Sequence, residues 1–84
     1  MFLHVKEIRN VRPYELVVEF DNGVVKQIDL SKELYGEVFE PLKDPEFFKQ
    51  AVVSDETKTV QWPNGADFAP EFLYEIGVEV KQVA

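Results

Sequence analysis

The run of residues 62–67 holds the side chains whose types and spacing could form a binding site. Trp62 offers an indole face, Asn64 an amide and Asp67 a carboxylate, and these three groups could converge on a polar ligand. The same residues also suit a turn, because Asn64-Gly65 fits positive-φ positions and Asp67 can accept N–H bonds before the next helix. We favour the architectural interpretation and keep Trp62, Asn64 and Asp67 as candidate ligand-binding residues.

Catalytic carboxylates are the next possibility, since two acids at a defined separation can perform general acid–base chemistry. Sixteen acids in 84 residues make near neighbours common by chance. Asp55-Glu56 lies in a polar stretch typical of a solvated turn, and Asp29 is explained as an N-terminal cap for the turn that follows it. No nucleophile, base, Gly-rich loop or Ca²⁺-loop pattern accompanies them. We therefore predict no catalytic residues and no enzymatic activity.

The sequence contains few residues that could support metal binding or thiol chemistry. The sequence has no Cys, which excludes disulfides and thiolate sites. Its one His, His4, stands between Leu3 and Val5 in a predicted strand, a pattern more typical of a rim residue than of a ligand. We predict no metal site and no cofactor.

The charge balance restricts the class of partner. Nine bases against sixteen acids give a net charge of −7, which repels nucleic acid and anionic membranes. No apolar run reaches the roughly 18 residues that a membrane-spanning helix needs, and residues 1–4 do not resemble the start of a signal peptide. We expect a cytoplasmic protein whose partner is a small basic protein.

The elements read as one α+β domain over residues 1–84. Residues 2–11 predict a strand with a bulge near Glu7, because the apolar spacing slips there from two to three. Residues 14–20 alternate cleanly, and a three-residue loop ending at Gly23 would pair Phe20 with Val24 and Leu16 with Ile28. This register matches apolar residues on one face, whereas a two-residue loop would set Leu16 against Asp29.

The second half of the chain contains signals for several short strands and for two helices. Asp44-Pro45 predicts one helix and Pro70 another, closed by Gly77, while Ser31 could cap a single turn over 32–35. Residues 51–54 and 59–62 predict a second hairpin, and residues 78–83 an edge strand. The expected fold is a small, mostly antiparallel sheet of five or six short strands with two short helices.

Seven Phe residues are many for so short a chain, and most should lie in the core. Some could instead cover the sheet or contact a partner. We consider Phe39, Phe47 and Phe48 as candidate partner-binding residues, with a wholly core role as the equal alternative.

The same sequence resembles a small bacterial family known as domain of unknown function 2442. The resemblance rests first on a motif in the second half of the chain, Trp62-Pro63-Asn64-Gly65-Ala66-Asp67, which is followed by Ala69-Pro70-Glu71 and Leu73-Tyr74. Three upstream motifs also occur in the family's order: Phe20-Asp21-Asn22-Gly23, Ile28-Asp29-Leu30, and Val38-Phe39-Glu40-Pro41-Leu42 with Asp44 and Phe47. Asn22 departs slightly from the family pattern, because members of the family often have Asp at this position. The resemblance implies a small α+β fold with no established activity. Some members look fused to a helix-turn-helix and others are encoded beside small toxin-like proteins.

These observations favour a non-enzymatic protein-interaction or regulatory module, in the manner of an antitoxin. The alternative is a sensor domain that binds a small ligand at residues 62–67. The valines of the terminal strand, Val78, Val80 and Val83, also predict a homodimer formed along an exposed edge.

Overall fold

The computed structural model of the protein describes residues 3–81. Within this range the chain forms six strands, two α-helices and one 3₁₀ helix: β1 (Val5–Arg12), β2 (Glu15–Phe20), β3 (Val25–Asp29), the 3₁₀ helix (Glu40–Lys43), α1 (Pro45–Phe48), β4 (Val52–Val53), β5 (Val60–Gln61), α2 (Pro70–Ile76) and β6 (Val78–Glu79). One antiparallel sheet has the order β1-β2-β3-β6, and β4 pairs with β5 in a second. The fold is therefore α+β with mostly antiparallel strands, as predicted.

The β2–β3 hairpin has the predicted register. Leu16 pairs with Ile28, and the Phe20 amide donates to the Val24 carbonyl at 2.9 Å. Gly23 has φ +87°, a left-handed conformation that L side chains rarely adopt. The three-residue loop thus places Leu16, Val18 and Phe20 on the buried face of the sheet, where all three are fully inaccessible.

Strand β1 is irregular, as the spacing of its apolar residues indicated. Its pairing with β2 shifts register between Val5 and Glu7 and again between Ile8 and Asn10. The predicted break near Glu7 is confirmed, and a second irregularity follows it. β1 begins at Val5, so Leu3 and His4 are not part of it, contrary to the prediction, and Phe2 lies outside the described residues.

Both helices begin where the sequence indicated, but their caps differ. Asp44 Oδ1 accepts from the Glu46 amide at 3.0 Å, which confirms the cap of α1. Helix α2 has Ala69 at its N-cap and no side-chain cap bond, so the predicted capping role of Asp67 is wrong. Asp67 instead forms an isolated antiparallel bridge with Gln61.

After β3, the predicted capping role of Asp29 is confirmed, whereas the helical turn predicted over residues 32–35 does not form. Asp29 Oδ1 accepts from the Ser31 amide at 2.9 Å, and the Glu33 amide donates to the Leu30 carbonyl. A short turn over residues 30–33 therefore replaces the expected helical turn capped by Ser31.

The core lies between the four-stranded sheet and the helices with the second hairpin. Its members are apolar side chains from every part of the described chain: Val5, Leu16, Val18, Phe20, Ile28, Leu30, Leu34, Leu42, Phe48, Val60, Trp62, Ala66, Phe68 and Leu73. Among residues 3–81, no helix combines the length and the apolar character needed to cross a membrane.

The strand predicted over residues 78–83 is shorter in the structure: β6 covers only Val78–Glu79, at the edge of the larger sheet, and residues 80 and 81 are not part of it. β6 pairs antiparallel with β3, and Val78 is 70% exposed. Val83, the last residue of the predicted strand, lies outside the described residues.

Candidate functional site

Residues 62–66 form a compact turn, which we call the Asn64 turn. The Trp62 amide donates to the Ala66 carbonyl at 2.9 Å, and the Gly65 amide donates to the Trp62 carbonyl at the same distance. Asn64 Oδ1 accepts from the Ala66 amide at 3.1 Å. Gly65 has φ +89°, whereas Asn64 does not take a positive φ, so only one of the two predicted left-handed positions is confirmed.

The indole of Trp62 belongs to the core. The residue is 1% exposed, and its Nε1 donates to the Phe48 carbonyl at 2.9 Å. Its ring lies 5.5 Å from that of Phe48 and 6.0 Å from that of Phe68, centroid to centroid. A buried, hydrogen-bonded indole has no face left to offer a ligand, so it anchors the turn.

Asn64 ties this turn to a distant loop. Its side-chain amide donates to the Val38 carbonyl at 2.9 Å, across 26 residues of chain. The bond holds the loop of residues 33–39 beside the segment of residues 67–72, which follows the turn directly.

A groove of about 270 Å³ separates these two segments. Acidic and aromatic residues dominate its lining, which consists of Glu33, Tyr35, Phe39, Asp67, Phe68, Ala69 and Phe72. The Phe68 ring stacks on Phe39 with centroids 4.8 Å apart and on Phe72 with centroids 5.7 Å apart. Three roughly parallel rings thus form an apolar wall, and two carboxylates lie in the same groove.

The two groove carboxylates have no cationic partner within residues 3–81. Glu33 is half-buried and Asp67 is exposed, and neither forms an ion pair or a side-chain hydrogen bond there. The surrounding sequence is acidic as well, because residues 29–42 and 59–80 contain eight acids and one base. These two stretches carry the equivalent of the whole net charge of −7.

The outer face of the sheet shows the opposite arrangement. Glu19 receives a 2.6 Å hydrogen bond from Arg9 and lies 3.6 Å from the Lys6 ammonium. The hydrogen bond from Arg9 lowers the pKa of the Glu19 carboxyl below its usual value. Glu19 is thus paired with cations on its own face of the sheet, whereas Glu33 and Asp67 have no cationic partner within the described part of the chain.

The structure separates the predicted ligand-binding residues. Asp67 lines the groove, Trp62 is buried behind it, and the Asn64 side chain bonds to the loop and to its own turn. The three side chains therefore do not converge on one open pocket, because the turn uses two of them for its own construction.

The predicted partner-binding aromatics also have different positions. Phe39 is half-buried and lines the groove, and Phe47 is half-buried against the core. Phe48 is fully buried between Tyr14 and Trp62, so its assignment as a partner-binding residue is wrong.

Sequence reasoning missed Glu33, Tyr35 and Phe72 as groove residues. Phe72 is four residues after Phe68, a spacing that allows two side chains to share a face, and the two rings stack in the groove. Glu33 and Tyr35 have no local pattern that marks them, since they reach the groove only through packing of the loop against residues 67–72.

Metal binding has no obvious location in the described part of the chain. No group of three or more His, Cys, Asp or Glu side chains is arranged there to hold an ion.

Comparison with known proteins places the chain in a family. No curated protein and no solved structure matches it. The sequence model of a protein of unknown function, DUF2442, matches residues 5–79, and the chain therefore belongs to the DUF2442 family.

Proposed function

We propose that this protein is a non-enzymatic interaction or regulatory module of the bacterial cytoplasm that binds a small basic protein, in the manner of an antitoxin. The observation that carries the proposal is the segregation of charge. The two stretches of sequence around the groove, residues 29–42 and 59–80, hold eight acids and one base, while Lys6 and Arg9 are paired with acids on the sheet face.

Unpaired surface carboxylates favour association with a basic partner for two reasons. Complementary charge accelerates encounter and disfavours acidic competitors. Affinity itself comes mainly from buried aromatic and apolar anchors, and the groove supplies exposed or half-buried rings from Tyr35, Phe39 and Phe72. The groove thus combines carboxylates that attract a basic partner with aromatic rings that can pack against it.

The test is co-purification of the tagged protein with the product of the neighbouring gene, at low and at high salt. We expect a basic partner whose association rate falls as salt rises, because screening acts on long-range attraction. An acidic partner, or association that ignores salt, would contradict the electrostatic basis of the proposal.

A ligand-binding sensor is the alternative, and the groove is the place where it would act. A cavity of about 270 Å³ is close to the lower limit for small-molecule sites. Mass spectrometry of the purified protein distinguishes the two functions, since a sensor would retain a small cationic compound without any protein partner.

We also propose that the chain forms a homodimer through β6. This strand ends the sheet next to β3, and both Val78 within it and Val80 just after it are exposed. Light scattering at high micromolar concentration should give twice the chain mass of 9.7 kDa. A monomer at that concentration would refute the dimer without affecting the binding proposal.

A further inference from the structure

We propose that the groove binds one arginine side chain presented by the basic partner, with the guanidinium against the phenylalanine wall and paired with Glu33 and Asp67. This inference rests on the proposed function and specifies its recognition chemistry. The observation behind it is the coexistence, in one groove, of stacked rings and two carboxylates with no cation within the described chain.

The chemistry of the groove matches a guanidinium in two respects. A guanidinium is planar and weakly hydrated, so it stacks on aromatic faces, and its fork of donors pairs with carboxylates. The half-buried Phe39 and Phe72 supply the accessible aromatic surface, supported by the buried Phe68 that stacks on both, and Glu33 and Asp67 supply the acceptors. A lysine ammonium would reach the carboxylates but is compact and strongly hydrated, so it would gain less from the rings.

The size of the groove favours a single side chain as its occupant. Pockets for drug-sized ligands span roughly 300–1,000 Å³, and this groove, at about 270 Å³, lies just below that range. Tyr35 lines the groove and is 70% accessible, and Val38, the chain neighbour of Phe39, is 50% accessible, so both offer apolar contact to residues that flank the arginine. An extended segment of a partner fits this arrangement.

The groove is held open by contacts of the fold itself. The Asn64 amide fixes the Val38 carbonyl on one side, and the bridge between Gln61 and Asp67 fixes the chain on the other. Because both sides are set before binding, little ordering cost remains for the complex.

The experiment uses synthetic peptides with a central arginine flanked by leucine, glycine and terminal lysines. Matched peptides carry lysine or citrulline in place of the arginine, citrulline being of similar shape but uncharged. Titration of the ¹⁵N-labelled full chain should shift amide signals of residues 33–39 and 67–72. We expect the citrulline peptide to bind about tenfold more weakly and the lysine peptide to bind several-fold more weakly.

Isosteric variants of the protein locate the site. Glu33→Gln and Asp67→Asn should each weaken the arginine peptide by about three- to tenfold. Glu75→Gln is the matched control, because Glu75 is exposed on α2 and does not line the groove. Tyr35→Ser should weaken binding without altering the fold, since this ring is largely exposed.

Failure of this inference is distinguishable from failure of the proposed function. Equal weakening by Glu75→Gln and Asp67→Asn, equal affinity for the arginine and lysine peptides, or shifts spread over the whole acidic surface would overturn the arginine site. So would binding of the neighbouring gene product with undiminished affinity by Asp67→Asn and Glu33→Gln. Those results leave the interaction function standing, whereas absence of binding to both the peptides and that gene product would overturn both.

Discussion

Two turns of this protein have the same backbone hydrogen bonds but differ in the contacts of their asparagine side chains. Residues 20–24 and 62–66 each begin with a buried aromatic residue and have Asn-Gly at the third and fourth positions. In both, the first amide donates to the fifth carbonyl and the fourth amide donates to the first carbonyl, all at 2.9 Å. The glycines have φ +87° and +89°. Five residues of similar type thus fold into the same local structure twice.

The asparagine side chains separate the two turns. In each, Oδ1 accepts from the amide two residues later, at 3.0 Å for Asn22 and 3.1 Å for Asn64. The Asn22 amide only reaches the Tyr74 hydroxyl at 3.4 Å, whereas the Asn64 amide donates to the Val38 carbonyl at 2.9 Å. The first turn connects adjacent strands, and the second also fixes a distant loop that forms one side of the groove.

The largest expected difference concerns the aromatic residue that begins each turn. Trp62→Phe should lower the free energy of unfolding by about 2–4 kcal/mol, because it leaves a void and removes the donor to the Phe48 carbonyl. Phe20→Leu should cost about 1–2 kcal/mol, since it loses packing but no hydrogen bond. Urea unfolding followed by circular dichroism compares the two variants. Equal losses would show that the indole hydrogen bond contributes nothing to the second turn.

The glycines test whether the two backbones are equivalent. Gly23→Val and Gly65→Val should each destabilise the fold by about 1–3 kcal/mol, because a β-branched residue is strained at positive φ. A Cβ at either position meets no atom within 4 Å, so the loss comes from conformation and not from a clash. Gly65→Asn is the control, and thermal melting should show a smaller loss, since Asn tolerates this conformation. Unequal losses for the two valine variants would break the equivalence.

The asparagines test the difference between the turns. Asn64→Ala should cost about 1–2 kcal/mol and Asn22→Ala about 0.5–1 kcal/mol, because only the former loses a well-formed bond to a distant loop. Hydrogen exchange should accelerate in residues 33–39 of Asn64→Ala and remain unchanged there in Asn22→Ala. Asn64→Asp is a sharper variant, since it keeps the acceptor within the turn and removes the donor to Val38. Unaltered exchange in both Asn64 variants would show that the loop holds its position without this bond.

The smallest expected effect comes from a carboxylate that makes the same local contact as the asparagines. Asp29 Oδ1 accepts from the amide two residues later, and the hydrogen bonds from Ser31 lower the pKa of Asp29 below its usual value. A lowered folded-state pKa means that this stabilisation is present above the unfolded pKa and lost as pH falls through the folded one. The free energy of unfolding should therefore decline below about pH 4.

Asp29→Asn converts this contact to the uncharged type found in the two turns. Its free energy of unfolding should depend less steeply on pH in the acid range, with the remaining slope due to groups such as Glu19. Urea titrations at several acid pH values measure the slopes. An unchanged slope would mean that Asp29 interacts equally in the folded and unfolded states.

Local signals predicted much of the fold because they depend on near neighbours in the chain. The pairing of Leu16 with Ile28 followed from matching apolar residues across a loop whose glycine needed positive φ. Asp44 and Pro45 likewise started a helix by contacts within three residues. The same reasoning failed at Asp67, where helix-start chemistry was available but the chain bridges to Gln61 instead.

The groove was less predictable, since its residues come from segments about thirty residues apart. Phe39 lies two residues before Pro41 and Phe48 three residues after Pro45, yet one lines the groove and the other is fully buried. Nothing in their immediate sequence distinguishes them. Tertiary packing gives them different roles, because Phe39 stacks on Phe68 whereas Phe48 packs against Tyr14 and Trp62.

The sequence by itself determined the strand register, the positive-φ turns, the start of both helices and the excess of acids, because each depends on residue type and short spacing. Tertiary structure alone decided that Trp62 is a core anchor, that the Asn64 amide reaches Val38, and that Glu33 and Asp67 share a groove without a cation from the described chain. The physical reason is that burial and long-range hydrogen bonding depend on which distant segments meet, and periodicity reports only on residues that are already neighbours.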